Sequence, residues 1–558
     1  MKITKTLLIA SVITIILFLS CNSRNDKKQN SADVVIYGGT SAGISSAIQT
    51  ARLGKTVILI EPSRRLGGLT TGGLGQTDIG NKQVIGGIAR EFYQNIRRHY
   101  EDSASWIWQD RSEYRDGGQT STDNNEDAMW TFEPSAALKV FYNMIQDLDI
   151  NIVYNQRLNR ASGVSKYAST IKSISMESGE RYYGKMFIDA TYEGDLMAAT
   201  GISYTVGREP NSQYGETLNG VQANNKSTTL SGYLSANAIN HNFVEGVDPY
   251  IIPGDSSSGI LPGINPGVEE DGSGDNHIQA YCFRMCLTDH PDNRIPFAKP
   301  EDYNEMDYEL LFRNYEAGYN RIPWINSKMP NRKTDTNNRD GFSTDYIGHN
   351  YDYPEADYAD RERIIQKHLS YQQGLMWTLA NHPRIPTEIR EEVSRWGTCK
   401  DEFNREDGWQ QQLYIREARR MISDYVMTQK NCERIEIVSD GVGMAAYGMD
   451  SHHTQRYINS RGQVSNEGNV EAHVKAPFPV SYRSIVPKKE ECTNLLIPLC
   501  LSATHIAFGS IRMEPVFMIL GQSSALIACL AIEEGKAVQD LEYNRLKKEL
   551  IKQAQIIE

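Results

Sequence analysis

Four residues toward the C-terminal end carry side chains able to take up a proton or to hold charge during a reaction: Asp450, His452, His505 and Arg512. Oxidising an alcohol requires a base that takes the hydroxyl proton as hydride leaves carbon, and an imidazole titrates where such a base works. His505 is the leading candidate, because it stands just before a long apolar run; a histidine that merely orients its loop fits the same pattern. Arg512 would pair with cofactor or substrate oxygens, or with Glu514 or another core acid. Asp450 and His452 read as loop residues, with plain surface placement as their alternative. Upstream, Arg416, Arg419 and Arg420 read as a helical stretch on which 416 and 420 share a face and Glu417 partners one of them. An ion-pair network is the ordinary reading there, and binding of a substrate anion the bolder one.

Redox chemistry also needs an electron carrier held in place, and the N-terminal region has the parts for it. Asp33 to Tyr37 is a short β-branched run that fits a buried parallel strand, followed at once by Gly38-Gly39-Thr40-Ser41-Ala42-Gly43. Ile44, Ala47, Ile48 and Ala51 then mark one apolar helical face, and Gly54 stands where that helix should stop. A second strand, Thr56 to Ile60, ends in Glu61. In a dinucleotide site Gly38 permits the tight turn and Gly43 lets helix pack on strand. The first helical N–H groups meet the pyrophosphate, and the acid accepts ribose hydroxyls. Thr40 breaks strict G-x-G-x-x-G, since it stands where glycine usually lets the backbone approach phosphate. The agreement of strand, turn, helix, strand and terminal acid is what carries the assignment.

Two further segments select the dinucleotide. Glu61 is followed by Arg65-Leu66-Gly67-Gly68, an acid and Arg-x-Gly-Gly arrangement that resembles the loop two-dinucleotide flavoproteins run beside the FAD pyrophosphate. Met186 to Thr191 reads as a strand ending in Asp189-Ala190-Thr191, similar to a flavoprotein Asp-Ala-Thr-Gly segment, with Tyr192 in place of the glycine. Other matches are the run Gly67 to Gly75, Ile85 to Tyr93, Gln279-Ala280-Tyr281 with Arg284, Met449 to His452, and Ser502 to Pro515. On these residues the chain resembles the FAD-dependent oxidoreductases of secreted and lipid-anchored bacterial proteins, over essentially all of its length beyond the N-terminal segment. Their FAD half is similar to glutathione-reductase-type flavoproteins and to the FAD-binding component of heterodisulfide reductase. The resemblance implies an α/β fold: a glutathione-reductase-like FAD/NAD(P)-binding Rossmann domain with an inserted α+β substrate or cap domain. It also implies FAD as cofactor, held by Gly38, Gly39, Thr40, Ser41, Ala42, Gly43, Glu61, Arg65, Gly67, Gly68, Asp189, Ala190, Thr191, Gly509 and Ser510. No substrate and no electron acceptor come with it.

Gly509 and Ser510 are expected to open a helix running through Val516, Phe517, Ile519, Leu520, Ala525 and Leu526. Its electropositive N-terminus would face the flavin N1 and C2 carbonyl and favour the anionic reduced ring. Ile435 to Val438 followed by Gly441-Val442-Gly443-Met444-Ala445-Ala446 imitates a second nucleotide turn, yet no crossover helix or strand-ending acid follows, so a cap-domain loop is the better reading. Domain boundaries follow: signal peptide 1–20, polar tether 21–32, first FAD part 33–200, cap 201–478, second FAD part 479–558.

Lys2 and Lys5 precede 14 uncharged residues from Leu7 to Ser20, and then Cys21. That is short for a membrane span and fits a secretory signal. Leu17 to Cys21 resembles a bacterial lipobox, which implies a lipid on Cys21 and an extracytoplasmic, membrane-tethered protein, though Phe18 and Leu19 match it poorly. The remaining cysteines contain no Cys-x-x-Cys, so neither zinc ribbon nor iron–sulfur cluster has its ligands, and no metal is expected; Cys282 and Cys286 read as an incidental buried pair. Across 558 residues Lys+Arg is 58 against Asp+Glu 70, a net charge of −12 without a long basic run, which argues against a nucleic-acid partner. The middle region, with its tyrosines and Trp324, Trp377, Trp396 and Trp409, reads as the substrate lobe, mostly core but able to stack on sugar rings. The expected activity is FAD-dependent redox chemistry on a small organic or saccharide-derived substrate. The alternatives are a lipid-anchored glycan-binding protein with a vestigial nucleotide fold, and an electron-transfer flavoprotein resembling the heterodisulfide reductase component.

Overall fold

A computed structural model describes residues 30–116, 122, 125–223, 241–404 and 408–558. The signal segment, Cys21, the tether through residue 29 and the end of the polar stretch 211–227 lie outside the described residues. Ser31 and Ala32, expected to end the tether, already belong to strand β1 (Ser31–Tyr37), where they pair with Tyr183 and Gly184.

From β1 the chain turns into helix α1 (Ser41–Arg52) and returns as β2 (Val57–Glu61). β3 (Ile150–Tyr154), β4 (Val164–Tyr167), β5 (Thr170–Ser175) and β6 (Arg181–Asp189) complete a sheet of order β3-β2-β1-β6-β5-β4. Its first four strands are parallel, and β4 and β5 extend it antiparallel. The sheet is buried on both faces: Val34 and Ile36 enter one apolar cluster, while Val35 and Tyr37 enter another. This two-residue alternation is why β1 has no polar face to show in sequence. Helices α2 (Gly87–Glu101) and α3 (Pro134–Ile145) pack beside α1.

The middle of the chain builds a second sheet from β7 (Met285–Thr288), β8 (Arg294–Ile295), β9 (Trp324–Met329), β10 (Lys333–Asn338) and β11 (Gly397–Cys399), in the order β8-β11-β7-β10-β9 and antiparallel throughout. With helix α4 (Tyr358–Asn381) it encloses a core of its own that includes Leu287, Phe312, Leu375 and Trp409. The α/β cofactor half and the α+β insert therefore each have a hydrophobic centre.

The chain then returns to the first half through β12 (Gly441–Ala445), β13 (Met449–Ser451), β14 (Val470–Ala472), β15 (Phe478–Ser481) and β16 (Leu495–Leu496). β16 joins the first sheet alongside the end of β6, with Leu495 opposite Phe187. Helix α5 (His505–Ile511) is followed by the long α6 (Glu514–Glu534), almost every residue of which is buried. α6 crosses α1 so closely that a Cβ on Gly521 would stand 2.3 Å from the Ala42 carbonyl oxygen. Both ends of the chain thus build one domain.

Four sequence expectations meet a different structure here. The long helix does not open at Gly509 and Ser510. Thr504 caps α5 instead, and the chain breaks at Arg512 and Met513 before α6 begins at Glu514. Arg416 to Arg419 are not helical; they run without regular structure into a two-residue strand, Arg420–Met421, paired with Tyr204–Thr205. The string Gly441 to Ala445 is neither a nucleotide turn nor a loop but strand β12, hydrogen-bonded to β15 and pressed on α6, where a Cβ on Gly443 would meet Ile519 at 2.3 Å. The boundary drawn at 478/479 falls inside β15.

Candidate active site

The glycine turn, the Arg65 loop and the Asp189 segment converge at the end of the parallel sheet. Gly38 has φ +105°, and a side chain there would lie 2.5 Å from the Ala190 carbonyl oxygen; one on Gly43 would lie 1.9 Å from the Gly38 carbonyl oxygen. Both positions therefore demand glycine, one for its turn and the other for close helix-on-strand packing. Thr40, the departure from the glycine string, has its own task. Its Oγ1 donates to the Ala190 carbonyl at 2.8 Å and accepts from the Gly43 N–H, capping α1 and tying the turn to the third segment.

Glu61 closes the same turn. Its Oε2 accepts from the Gly39 N–H and its Oε1 from the Ser63 N–H, both at 2.6 Å, which leaves each oxygen a lone pair for a ribose hydroxyl. Burial pushes its carboxyl above the usual range despite these bonds. Gly67 N–H donates to the Gly39 carbonyl at 2.7 Å, so the Arg65 loop lies directly against the turn. Arg65 donates from Nε and Nη2 to the Thr71 carbonyl. Asp189 accepts from the Thr191 N–H and hydroxyl and from the Met197 N–H, and burial pushes its carboxyl up to about 6.

These segments line a crevice of about 630 Å³ that includes Gly38, Thr40, Glu61, Arg64, Arg65 and Gly68. The residues fit an FAD. A glycine cradle that any Cβ would fill, arginines for the pyrophosphate charge and an acid at the end of β2 occupy one wall.

Sequence reasoning offered Glu514 only as a partner for Arg512, which pairs with Asp450 instead, and missed that Glu514 locks the crevice. Glu514, at the first turn of α6, is buried and accepts from Ser41 Oγ and Thr70 Oγ1, each at 2.6 Å, and from the Tyr192 hydroxyl at 2.7 Å. One carboxyl therefore joins the helix of the glycine turn, the loop after Arg65 and the segment after Asp189. A signal was present: an acid immediately before Pro515 at the head of an otherwise apolar helix. Gly509 and Ser510 do not reach the crevice. Gly509 packs on the Asp450 backbone, and Ser510 Oγ donates to the Tyr447 carbonyl.

A second cavity, of about 640 Å³, is lined by Asp78, Arg284, Tyr414, Asp450 and His452. Phe283 and Leu413 line the crevice while their neighbours Arg284 and Tyr414 line this cavity, so the two spaces adjoin along segments 283–284 and 413–414. Asp450 belongs to β13 and His452 directly follows it; neither is a surface-loop residue. His452 Nδ1 lies 2.8 Å from Asp345 Oδ2, and its Nε2 lies 3.6 Å from Asp450 Oδ2. Asp345 is in turn held by Arg416 Nη2 at 3.0 Å, and Asp450 by Arg512 Nη2 at 2.9 Å. Arg512 also donates to the Tyr414 hydroxyl. Burial opposes ionisation of both acids, but Arg416 and His452 at Asp345, and His452 and Arg512 at Asp450, outweigh it and hold each carboxyl well below the ordinary range.

His505 lies apart from both cavities. It is 2% exposed, its Nδ1 meets the Glu417 carboxylate at 2.9 Å and its Nε2 meets Ser451 Oγ at 3.0 Å. Glu417 and Glu209 pair with Arg420, and Asp195 and Glu355 with Arg419, so the arginine run is a buried ion-pair network. Of the four tryptophans named as possible sugar platforms, Trp324 and Trp409 are core, and none lines the second cavity.

A parallel sheet whose glycine turn, arginine loop and acid surround one crevice, with a second cavity carrying acids and a histidine beside it, has the layout of a dinucleotide-binding fold. The model of the FAD dependent oxidoreductase family matches residues 33–550, and the chain belongs to that family. It is an enzyme with FAD as its cofactor. No curated protein matches it. Among solved structures it is similar to the OxyS anhydrotetracycline hydroxylase from Streptomyces rimosus, at 13% identity and TM-score 0.22 over 32% of this chain and 36% of that one. The L-amino acid deaminase from Proteus vulgaris matches at 15% and 0.23 over 32% and 52%, and T. acidophilum thioredoxin reductase at 16% and 0.17 over 33% and 40%. The chain spans about a third to a half of the length of these proteins.

Proposed function

We propose that the enzyme oxidises a hydroxyl group on a small organic or saccharide-derived substrate held in the second cavity, with His452 as the base. The observation that carries this reading is a histidine on the cavity wall with a buried, ion-paired carboxylate behind it. A carboxylate on Nδ1 orients the ring and, in its neutral form, fixes the proton there and leaves Nε2 to accept. Asp450, fixed by Arg512, stands beside Nε2 and stabilises the imidazolium once it has taken the hydroxyl proton. Asn81, Asn337, Asn338 and Asn469 supply amide donors and acceptors around the same cavity, which suits a polyhydroxylated ligand. Bound FAD supplies the hydride acceptor. His505, with both ring nitrogens engaged, positions β13 through Ser451.

The test is an anaerobic screen of the FAD-loaded chain against alcohols, sugars and oligosaccharides, following loss of the visible flavin band. His452→Ala should slow that loss about 10²- to 10⁴-fold while the resting band stays intact. Unchanged kinetics in this variant would remove His452 as the base. The reading extends to the N-terminus, where the charged and uncharged run before Cys21 supports export and a lipid on that cysteine. Metabolic labelling with a fatty acid, absent in Cys21→Ser, is the expected result.

A further inference from the structure

Two cysteines far apart in sequence face each other across a strand pair in the cap sheet. β11 and β7 are antiparallel with Gly397 opposite Thr288 and Thr398 opposite Leu287, so the next step along the ladder sets Cys399 opposite Cys286. Residues directly opposed in an antiparallel pair have Cα atoms about 4.5 to 5.5 Å apart, within the span a disulfide bridges. The Sγ atoms are 3.8 Å apart, against a bonded distance of about 2.05 Å. Cys282, the near neighbour in sequence, is directed elsewhere, with its sulfur 3.4 Å from Arg416 Nη2.

We infer that Cys286 and Cys399 are joined by a disulfide in the mature protein. The reaction is thiol–disulfide exchange with an external disulfide, the class of oxidant that serves protein folding outside the cytoplasm. One cysteine thiolate attacks that disulfide and releases its first thiol; the second cysteine thiolate then displaces the other. The two protein thiols lose two protons and two electrons in forming the S–S bond, and the external disulfide is reduced to two thiols. Exchange precedes closure of the strands, because the folded pair is 1% and 0% exposed and walled by Met329 and Phe403. Burial pushes the Cys286 thiol well up, so in the closed fold that thiol reacts poorly and the exchange belongs to the open chain. The bond closes a long loop whose ends are 113 positions apart in the chain. It also lies beneath the cofactor crevice, since the Phe403 ring carries the Arg65 guanidinium at 4.9 Å.

The experiment uses the full chain from a bacterial host in which both cytoplasm and envelope permit disulfides. The protein is denatured in a thiol-blocking reagent, digested without reductant and read by mass spectrometry. The expected result is one linked peptide pair containing Cys286 and Cys399, two hydrogens lighter than the sum of its thiol forms. Cys282, Cys432, Cys492, Cys500 and Cys529 should be found blocked as free thiols. Blocked thiols at both Cys286 and Cys399, or either one linked elsewhere, would overturn the inference. Cys286→Ser and Cys399→Ser, each purified with its flavin band, should leave the partner thiol free; a new partner for the remaining cysteine would show opportunistic pairing and refute the specific bond.

Discussion

Glu514 offers the sharpest test of how the candidate FAD crevice is assembled, because its carboxyl receives hydroxyls from Ser41, Thr70 and Tyr192, on three segments up to 151 positions apart in the chain. A hydrogen bond to a charged group contributes about 1.5 to 3 kcal/mol, and a buried hydroxyl left without an acceptor costs about 1 to 3 kcal/mol. Glu514→Ala removes all three acceptors at once, and partial relaxation leaves a net loss of about 3 to 5 kcal/mol. Glu514→Gln keeps the volume and one acceptor oxygen, which serves Ser41 and Thr70 together because both now use Oε2. Only the Tyr192 bond is then lost, for about 1 to 2 kcal/mol. The three segments line or support the cofactor crevice, so part of each loss appears in FAD affinity at about 1.4 kcal/mol per tenfold. Fluorescence titration of FAD into the stripped protein should show at least about tenfold weaker binding for the alanine variant, and a smaller change for glutamine. Thermal melts should fall in the same order. If Glu514→Ala binds FAD and melts like the parent, the carboxyl does not lock the crevice and the reasoning fails.

Two other outcomes follow from the same geometry. Gly43→Val should abolish flavin binding in the purified chain, since its Cβ would collide with the Gly38 carbonyl oxygen at 1.9 Å; a yellow, fully loaded variant would contradict the close packing. Asp189 has its carboxyl pushed from the ordinary 3.8 up to about 6 by burial, so the folded chain takes up a proton that the unfolded chain does not. Its stabilising effect is complete below the unfolded value and is lost as pH rises through the folded one. The melting temperature of the parent should therefore rise relative to Asp189→Asn as pH is lowered from neutral toward 4, and a difference constant across that range would refute the shift.

The parts legible in sequence are those whose cause is local. β1, its glycine turn and α1 announce themselves through β-branched residues, through glycines needed within six positions, and through a 3.6-residue apolar period. Thr40 looks like a defect in that string, yet a hydroxyl there both caps the helix and reaches Ala190, a contact across 150 positions that no window contains. The arginine run fails as a helix for a related reason. Spacing of Arg416 and Arg420 suits one helical face, but Arg416, Arg419 and Arg420 are all buried, each with a different acid from a distant segment. Charges paired in that way hold an extended backbone as well as a helix, and propensity yields to tertiary pairing.

The same logic moves the proposed base from His505 to His452. Both histidines have carboxylate partners, so residue type and neighbouring acids do not separate them. What separates them is the strand between: β13 places Ser451 inward, against His505, and Asp450 and His452 on the cavity. The long apolar stretch hides this, because hydrophobic periodicity alone runs α5 and α6 together across the break at Arg512 and Met513. That break brings Arg512 back to Asp450 and sets Glu514 on Ser41, so one interruption in a helix joins the candidate nucleotide crevice to the cavity of the proposed base.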